Sequence, residues 1–300
     1  MNAPFQITLP APFLRWFAAR GWRPFPHQLA MIGADRAGRS ALLIAPTGTG
    51  KTLAGFLPSL IALAGNAPNK AADDLGGKPA KRNTGLHTLY ISPLKALAVD
   101  IHRNLEIPIA EMNLAIECET RTGDTPAHKR QRQRRKPPQI LMTTPESLAL
   151  LLSYADAPTT FGKIERVVVD ELHALANTKR GDLLALGLAR LQSLSPELRR
   201  VGLSATVADE HNLLAFLSPT GRADNAAGDI VRGAAGPAAE VAILATGEYL
   251  PWSGHMATHA LAEVYQAVKR AGTTIVFVNT RAQAEIVFQA LWRLNDDDLP

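Results

Sequence analysis

One stretch, Ala45-Pro46-Thr47-Gly48-Thr49-Gly50-Lys51-Thr52, limits the possible folds of this chain more than any other. It follows the apolar run Ala41-Leu42-Leu43-Ile44, which reads as a short buried strand. It precedes Leu53-Ala54-Gly55-Phe56-Leu57, which reads as the start of a helix. Strand, glycine-bearing turn and helix in that order form a cradle for phosphate. Gly48 and Gly50 let the backbone from Thr47 through Thr49 to Thr52 curl, so that several N–H groups point at one anion. The helix beginning near Lys51 adds its positive dipole end. Lys51 would place an ammonium on the β- and γ-phosphates of a nucleotide, and Thr52 an oxygen on Mg²⁺. The strict pattern has glycine where Ala45 stands. A glycine turn beside a stray lysine is the plainer alternative, and the flanking strand and helix argue against it.

A chain of 300 residues is long enough for about two ordinary domains, and a hydrophobic fraction of 46% supports substantial cores. The single cysteine, Cys118, excludes an internal disulfide framework and fits a reducing cytoplasm. Residues 1–10 lack a basic segment followed by an apolar one, so no signal peptide is expected. The most apolar segment, Leu53 to Ala64, is too short for a membrane span and contains Pro58. A net charge of +5 hints at an anionic partner without establishing one.

Phe13, Trp16, Phe17, Trp22 and Phe25 crowd the region before the phosphate cradle. They read either as a hydrophobic lid over the sheet or as an adenine pocket, in which the Gln28 amide offers both a donor and an acceptor to a base edge. Residues 65–86 have no apolar period and read as an exposed loop. Strands and helices then alternate. Strands are expected at His87–Ile91, Ala115–Glu119, Gln139–Thr143, Ile164–Asp170 and Arg200–Leu203. Helices are expected at Leu94–Met112, Thr125–Arg135, Pro145–Tyr154 and Asp182–Leu194. The alternation implies an α/β fold, a parallel sheet with helices on both faces and ligands at the carboxyl ends of its strands. Residues 219–239 read as a linker or surface excursion. A second alternation follows, with strands at Glu240–Leu244 and Thr274–Val278 and helices at Ala257–Ala271 and Arg281–Leu294.

Val167-Val168-Val169-Asp170-Glu171-Leu172-His173 is the second informative stretch. Its β-branched run buries a strand and presents two adjacent carboxylates at the tip. Neighbouring residues on an extending strand point apart, so one carboxylate can face a metal and the other a water. Asp170 is assigned to Mg²⁺ and Glu171 to orienting and deprotonating the attacking water.

With these residues in place, the chain resembles superfamily 2 helicases with a DExH box. Ala45–Thr52, Asp170-Glu171-Leu172-His173 and Ser204-Ala205-Thr206 resemble their motifs I, II and III. Tyr90-Ile91-Ser92-Pro93-Leu94-Lys95-Ala96-Leu97, Arg121-Thr122-Gly123-Asp124-Thr125 and Thr143-Thr144-Pro145-Glu146-Ser147-Leu148 are similar to the large helicase-related (Lhr) family, in particular its ligase-associated branch. The resemblance implies a first RecA-like motor domain over 1–218 and the opening of a second, incomplete, over 240–300. It implies ATP and Mg²⁺ as cofactors, with adenine recognised by Gln28. It gives His173, Ser204 and Thr206 a coupling role and places Ser92, Lys95, Thr122, Thr144 and Glu146 along a nucleic-acid track. Asn279 and Arg281 match motif IV. The implied activity is ATP-driven translocation and unwinding, 3′ to 5′ on single-stranded DNA, in cytoplasmic DNA repair beside a DNA ligase or nuclease. RNA or an RNA–DNA hybrid is the alternative substrate.

The arginines of the last segment, Arg270, Arg281 and Arg293, lack the arginine-rich pattern of motif VI. The 300 residues are therefore expected to bind ATP·Mg²⁺ and to hydrolyse it poorly, and a nucleotide-gated clamp is a rival reading. A GTPase is a weaker one, since Asn69-Lys70-Ala71-Ala72 lacks the aspartate of a guanine motif. Lys129 to Lys136 carries six cations in eight residues and reads as a solvated helix face, with backbone binding as the alternative. His255 and His259 read as surface histidines, and Cys118 as a buried structural thiol.

Overall fold

The computed structural model describes residues 8–65, 85–205, 207, 209–219, 228–234, 240–246 and 258–295. The chain divides into two units, Met1–Gly236 and Pro237–Pro300. In the first, α1 (Ala11–Ala19) and α2 (Pro26–Arg36) lead to β1 (Ala41–Ile44) and α3 (Lys51–Gly65). Then come β2 (Thr88–Ile91), α4 (Lys95–Glu111), β3 (Cys118–Arg121), α5 (Ala127–Arg135), β4 (Ile140–Thr143) and α6 (Pro145–Ser153). They are followed by α7 (Ala157–Phe161), β5 (Arg166–Val169), α8 (Leu172–Leu175), α9 (Lys179–Leu194), β6 (Arg199–Ser204), α10 (Glu210–Leu217) and β7 (Asp229–Arg232). The strands form a seven-stranded sheet in the order β3-β4-β2-β5-β6-β1-β7, and every pairing is parallel.

Side chains alternate along each strand, so the apolar runs feed two cores. Leu43, Tyr90 and Val168 point into one, beneath Phe56 and Leu60 of α3 and Ile101 and Leu105 of α4. Leu42, Ile44, Val167 and Val169 point into the other, beneath Leu148 of α6, Leu188 of α9 and Leu214 of α10. Burial on both faces is why these strands read as continuous apolar runs rather than alternating ones.

At the amino ends of the strands, buried Arg166 gives Nε and Nη2 to the two carboxylate oxygens of Asp35 at 2.7 and 2.8 Å. Its Nη1 lies 2.9 Å from His87 Nε2. Arg199 Nη2 and the same Arg166 Nη1 hold Glu165 at 3.1 and 3.2 Å. The carboxyl of Glu165 is pulled down to about 2, first by His87 and then by these guanidiniums. This network locks α2 to the sheet edge opposite the phosphate cradle.

The structure corrects several expectations. The stretch 219–239, expected as linker or excursion, contains β7, which pairs with β1 from Ala41↔Asp229 to Ile44↔Arg232. β3 begins three residues and ends two residues later than expected, because its ladder registers Cys118 against Ile140, the first residue of β4. Asn113, at φ 50°, ends the preceding turn, and the intervening residues lead up to the edge. Cys118 therefore opens the strand rather than closing one. It is half-buried, and its thiol is pushed up to about 12 by burial and then by Glu106 and Glu119. α9 begins at Lys179 because Thr178 caps it, accepting the Gly181 N–H at 3.1 Å.

In the second unit, α11 (Leu261–Arg270) and α12 (Arg281–Arg293) agree with expectation, and a 3₁₀ turn, Thr258–Ala260, precedes α11. Residues 240–244 and 274–278 are not strands. A strand exists only with a bonded neighbour, and among the described residues none pairs with either segment; Ile243 and Phe277 stand 96% and 88% exposed. His255, Thr206 and nearly all of the 65–86 loop lie outside the described residues. No helix among the described residues is long and apolar enough to cross a membrane.

Candidate nucleotide and nucleic-acid site

The sheet order places β1, β6 and β5 side by side, so the loops at their carboxyl ends meet. The loop after β1 is the phosphate cradle. Gly48 and Gly50 adopt φ of +78° and +72°, a left-handed conformation that only glycine enters without strain. Thr49 Oγ1 donates to the Pro46 carbonyl at 2.7 Å and closes the turn. Lys51, the first residue of α3, is 8% exposed, and its Nζ has no hydrogen-bond partner among the described residues. A buried ammonium without a partner is costly, and here it stands at a helix N-terminus over a glycine loop. That combination fits a polyphosphate.

Asp170 follows β5 and is 4% exposed. Burial, and then the neighbouring Glu171 charge, raises its carboxyl, while the Tyr90 hydrogen bond and the Lys51 ammonium pull it back. The buried Tyr90 hydroxyl donates to Asp170 Oδ2 and is itself held well above the ordinary phenol range, first by burial and then by the Asp170 charge. Glu171 sits at φ 47°, a conformation that costs a non-glycine residue about 1–3 kcal/mol. The resulting turn lets Asp170 Oδ1 accept the Glu171 N–H at 2.9 Å and sends the two carboxylates in different directions. Glu171 Oε2 lies 3.4 Å from His173 Nε2. The other nitrogen of that ring, Nδ1, is 3.0 Å from Ser204 Oγ at the end of β6. One imidazole thus bridges the loops of β5 and β6.

The aromatic segment before β1 packs behind the cradle. Gln28, 2% exposed, spends its amide internally. Its Oε1 accepts the Phe25 N–H at 2.9 Å, and its Nε2 faces the Gly50 carbonyl at 3.4 Å. His27 Nε2 lies 3.0 Å from the Thr49 carbonyl. These residues brace the loop from α2. A cavity of about 340 Å³ opens beside it, bordered by Trp22, Gly50, Thr52 and Leu53.

The remaining track residues follow β2, β4 and β3, on the other half of the same edge. The buried Ser92 hydroxyl is turned onto its own loop, 3.2 Å from the Leu94 carbonyl. Lys95 Nζ is exposed and pairs with Asp124 at 2.9 Å. Thr122 is tied to its loop, with its N–H on Thr125 Oγ1 at 2.9 Å. Thr144 caps α6, accepting the Ser147 N–H at 3.4 Å. Glu146 is gripped by Arg180, with Nη2 to Oε2 at 3.1 Å, and its carboxyl is pulled down to about 2 by that bond. Asn279 and Arg281 lie in the second unit. Thr280 caps α12 through the Gln283 N–H at 3.1 Å, and Arg281, its first residue, is exposed.

Tyr90 and Arg180 had no role in the sequence reading; each acts through a partner 80 or 34 residues away, a separation that leaves no local signal. In α5 and at its C-cap, Arg132, Arg134 and Lys136 are paired with Glu119, Asp156 and Glu117, so half of the basic run holds the helix to its surroundings.

Known proteins share this arrangement. Residues 25–214 match the DEAD/DEAH box helicase family. The chain is 42% identical over 214 residues to the Lhr helicase/probable uracil glycosylase of Mycolicibacterium smegmatis, covering 68% of this chain and 13% of that protein. It is 34% identical over 291 residues to the ATP-dependent helicase Lhr-Core protein 2 of Thermococcus barophilus, covering 92% and 32%. The chain thus spans about a third or less of these relatives' length. The solved structure of Mycobacterium smegmatis helicase Lhr bound to ssDNA and AMP-PNP superposes with a TM-score of 0.77 at 34% identity, over 96% of this chain and 36% of that one. The DUF1998 helicase MrfA superposes with a TM-score of 0.72 at 25% identity, over 99% and 42%. With the match running from the aromatic segment through both carboxylates to α10, the chain belongs to the DEAD/DEAH box helicase family.

Proposed function

We propose that this chain is the ATP-binding part of a nucleic-acid motor that translocates on a single strand and unwinds duplexes. The observation that carries the reading is the buried Lys51 ammonium over the glycine loop, with no hydrogen-bond partner among the described residues, beside Asp170 and Glu171 on the neighbouring part of the sheet edge. Residues 1–218 together with β7 would form the first motor domain, and 240–300 would belong to a second.

ATP·Mg²⁺ would supply the phosphoryl group and the ion that neutralises its charge. Lys51 and the N–H groups from Thr47 to Thr52 hold the phosphates. Thr52 and Asp170 hold Mg²⁺. Among the described residues no group of three His, Cys, Asp or Glu side chains could hold a metal by itself, which suits an ion that takes its remaining ligands from phosphate and water. Glu171 orients the attacking water and accepts its proton. His173 carries the state of that carboxylate to Ser204, and through motif III, with Thr206, to the strand-binding edge.

On that edge Lys95 and the loops built by Ser92, Thr122 and Thr144 grip the sugar–phosphate backbone, as a motor indifferent to sequence requires. Glu146, neutralised by Arg180, shapes this surface. Asn279 and Arg281, in the second unit, are assigned to strand binding on the resemblance to motif IV alone. Single-stranded DNA is the favoured substrate, on the likeness to a relative solved with ssDNA. Movement 3′ to 5′ and a repair role beside a ligase or nuclease rest on the resemblance to the ligase-associated branch.

The test is calorimetric. Lys51→Ala should abolish ATP·Mg²⁺ binding or weaken it by at least about tenfold, and single-stranded DNA should bind more tightly than RNA or an RNA–DNA hybrid of equal length. Unchanged ATP affinity in Lys51→Ala would refute the nucleotide assignment.

A further inference from the structure

We propose that Tyr90, on β2, positions the Asp170 carboxylate for Mg²⁺. The inference rests on the nucleotide reading above, in which Asp170 holds that ion, and adds the side chain that fixes how the carboxylate is presented. Asp170 lies one residue beyond β5, past the last ladder pair, Ile91↔Val169. The chain then turns at once, with Glu171 at φ 47°. The last torsion of an aspartate side chain has only broad preferences, so a carboxylate at such a turn is free to spin. A group outside β5 must hold it if it is to meet an ion at a set angle.

The register of β2 against β5 supplies that group. Tyr90 stands opposite Val168. Strand side chains alternate between faces, so Asp170, two residues after Val168, projects on the same face as Tyr90, one diagonal step along the neighbouring strand. The Asp170 N–H donates to the Ile91 carbonyl at 2.9 Å, which keeps the two backbones together at this point. The Tyr90 hydroxyl then donates to Asp170 Oδ2, while Oδ1 accepts the Glu171 N–H at 2.9 Å. A donor on each oxygen fixes the carboxylate plane. Each oxygen keeps a further lone pair for an ion or for its water.

Tyr90 is itself held rigidly. It is fully buried, and its ring stacks on Phe56 of α3 at a centroid separation of 4.9 Å and an interplanar angle of 17°. α3 begins with Lys51, so the helix that carries the phosphate-binding cation packs directly on the ring whose hydroxyl holds the metal carboxylate. Phenylalanine would fill the same space with no hydroxyl to desolvate. A buried phenol needs an acceptor, and any carbonyl would satisfy a purely structural tyrosine. Here the acceptor is the carboxylate assigned to the ion. Removing an outer hydrogen bond to a metal ligand typically weakens metal affinity or activity by about 10–100-fold.

The experiment measures the ATP affinity of the 300-residue chain by calorimetry, in excess Mg²⁺ and in EDTA. Mg²⁺ should tighten ATP binding by the parent. Tyr90→Phe should cut that enhancement by about tenfold and leave the affinity in EDTA within about twofold. A structural role alone would lower the melting temperature and keep the enhancement intact. In an Asp170→Asn background Tyr90→Phe should change the enhancement by less than about twofold, since the two side chains act as one unit. Should Tyr90→Phe fail to fold, the chain carrying Tyr154→Phe, Tyr249→Phe and Tyr265→Phe is labelled with fluorotyrosine. Its single fluorine signal, from Tyr90, should shift when Mg²⁺ is added to the complex with AMP-PNP. An undiminished enhancement in Tyr90→Phe, a further loss in the Asp170→Asn background, or a fluorine signal indifferent to Mg²⁺ would each overturn this proposal and leave the nucleotide reading standing. ATP binding by the parent that depends on Lys51 but not on Mg²⁺ would overturn the metal role of Asp170 and this proposal with it.

Discussion

Substituting the two glycines of the phosphate loop by alanine should have unequal effects, and the difference can be worked from the geometry. Gly48 and Gly50 share a left-handed backbone, at φ +78° and +72°. Holding alanine there costs about 1–2 kcal/mol. The less flexible unfolded chain returns about 0.4–1 kcal/mol. A Cβ on Gly48 meets nothing within 4 Å, so Gly48→Ala should destabilise the protein by about 1 kcal/mol. A Cβ on Gly50 would stand 2.8 Å from Gln28 Nε2. That amide cannot swing aside freely, because it is 2% exposed and its oxygen accepts the Phe25 N–H at the start of α2. Breaking this bond and leaving a buried group unmatched adds about 1–3 kcal/mol, for a total of about 2–4 kcal/mol. Urea unfolding of the two variants, with ATP calorimetry in parallel, measures both consequences. Combining Gly50→Ala with Gln28→Ala should bring the cost back toward that of Gly48→Ala plus the loss from Gln28→Ala alone. If Gly50→Ala is no more destabilising than Gly48→Ala, or if the double variant shows no coupling, the bracing of the loop by Gln28 is wrong.

Three further outcomes are expected. Glu171→Gln should leave ATP affinity within about twofold and cut turnover by at least about tenfold, since general-base catalysis is typically worth 10²–10⁴; a phosphate-release assay showing near-parental turnover would remove Glu171 from its role. Asp170→Asn should abolish metal-dependent hydrolysis, and its melting temperature relative to that of the parent, both nucleotide-free, should be higher at neutral pH than at pH 3. Burial raises the folded-state pKa of Asp170 above its unfolded value, so its contribution to stability is most favourable below the unfolded pKa and declines as pH rises through the folded one; the gain from Asn should shrink toward pH 3, and an equal gain at both pH values would contradict the sign. Arg200, buried with its guanidinium on the Leu217 and Leu188 carbonyls and on Gln192, each at 3.0 Å, is pushed down to about 10 by burial. Arg200→Met should cost at least about 2 kcal/mol in urea unfolding despite its similar length, because it strands those acceptors, and a neutral effect would show that the carbonyls find other partners.

The motifs were legible because their physics is local. A phosphate cradle needs a strand, two glycines and a helix start within a dozen or so residues, and Ala41 to Leu57 states all of it in order. The β-branched run before Asp170 likewise announces a buried strand with two acids at its tip. Tertiary structure alone decided how these pieces face one another. The order β3-β4-β2-β5-β6-β1-β7 puts β6 between β5 and β1, and only that adjacency brings His173 to Ser204. The Tyr90 hydroxyl reaches Asp170 across neighbouring strands, and the Gln28 amide meets Phe25 and the phosphate loop at Gly50. β7 was illegible for the same reason. Its four residues, Asp229–Arg232, carry little apolar signal of their own and become a strand because β1 offers them an open edge. Pairing of this kind depends on neighbours far away along the chain, whereas capping, turn and strand propensities depend on the residues next door.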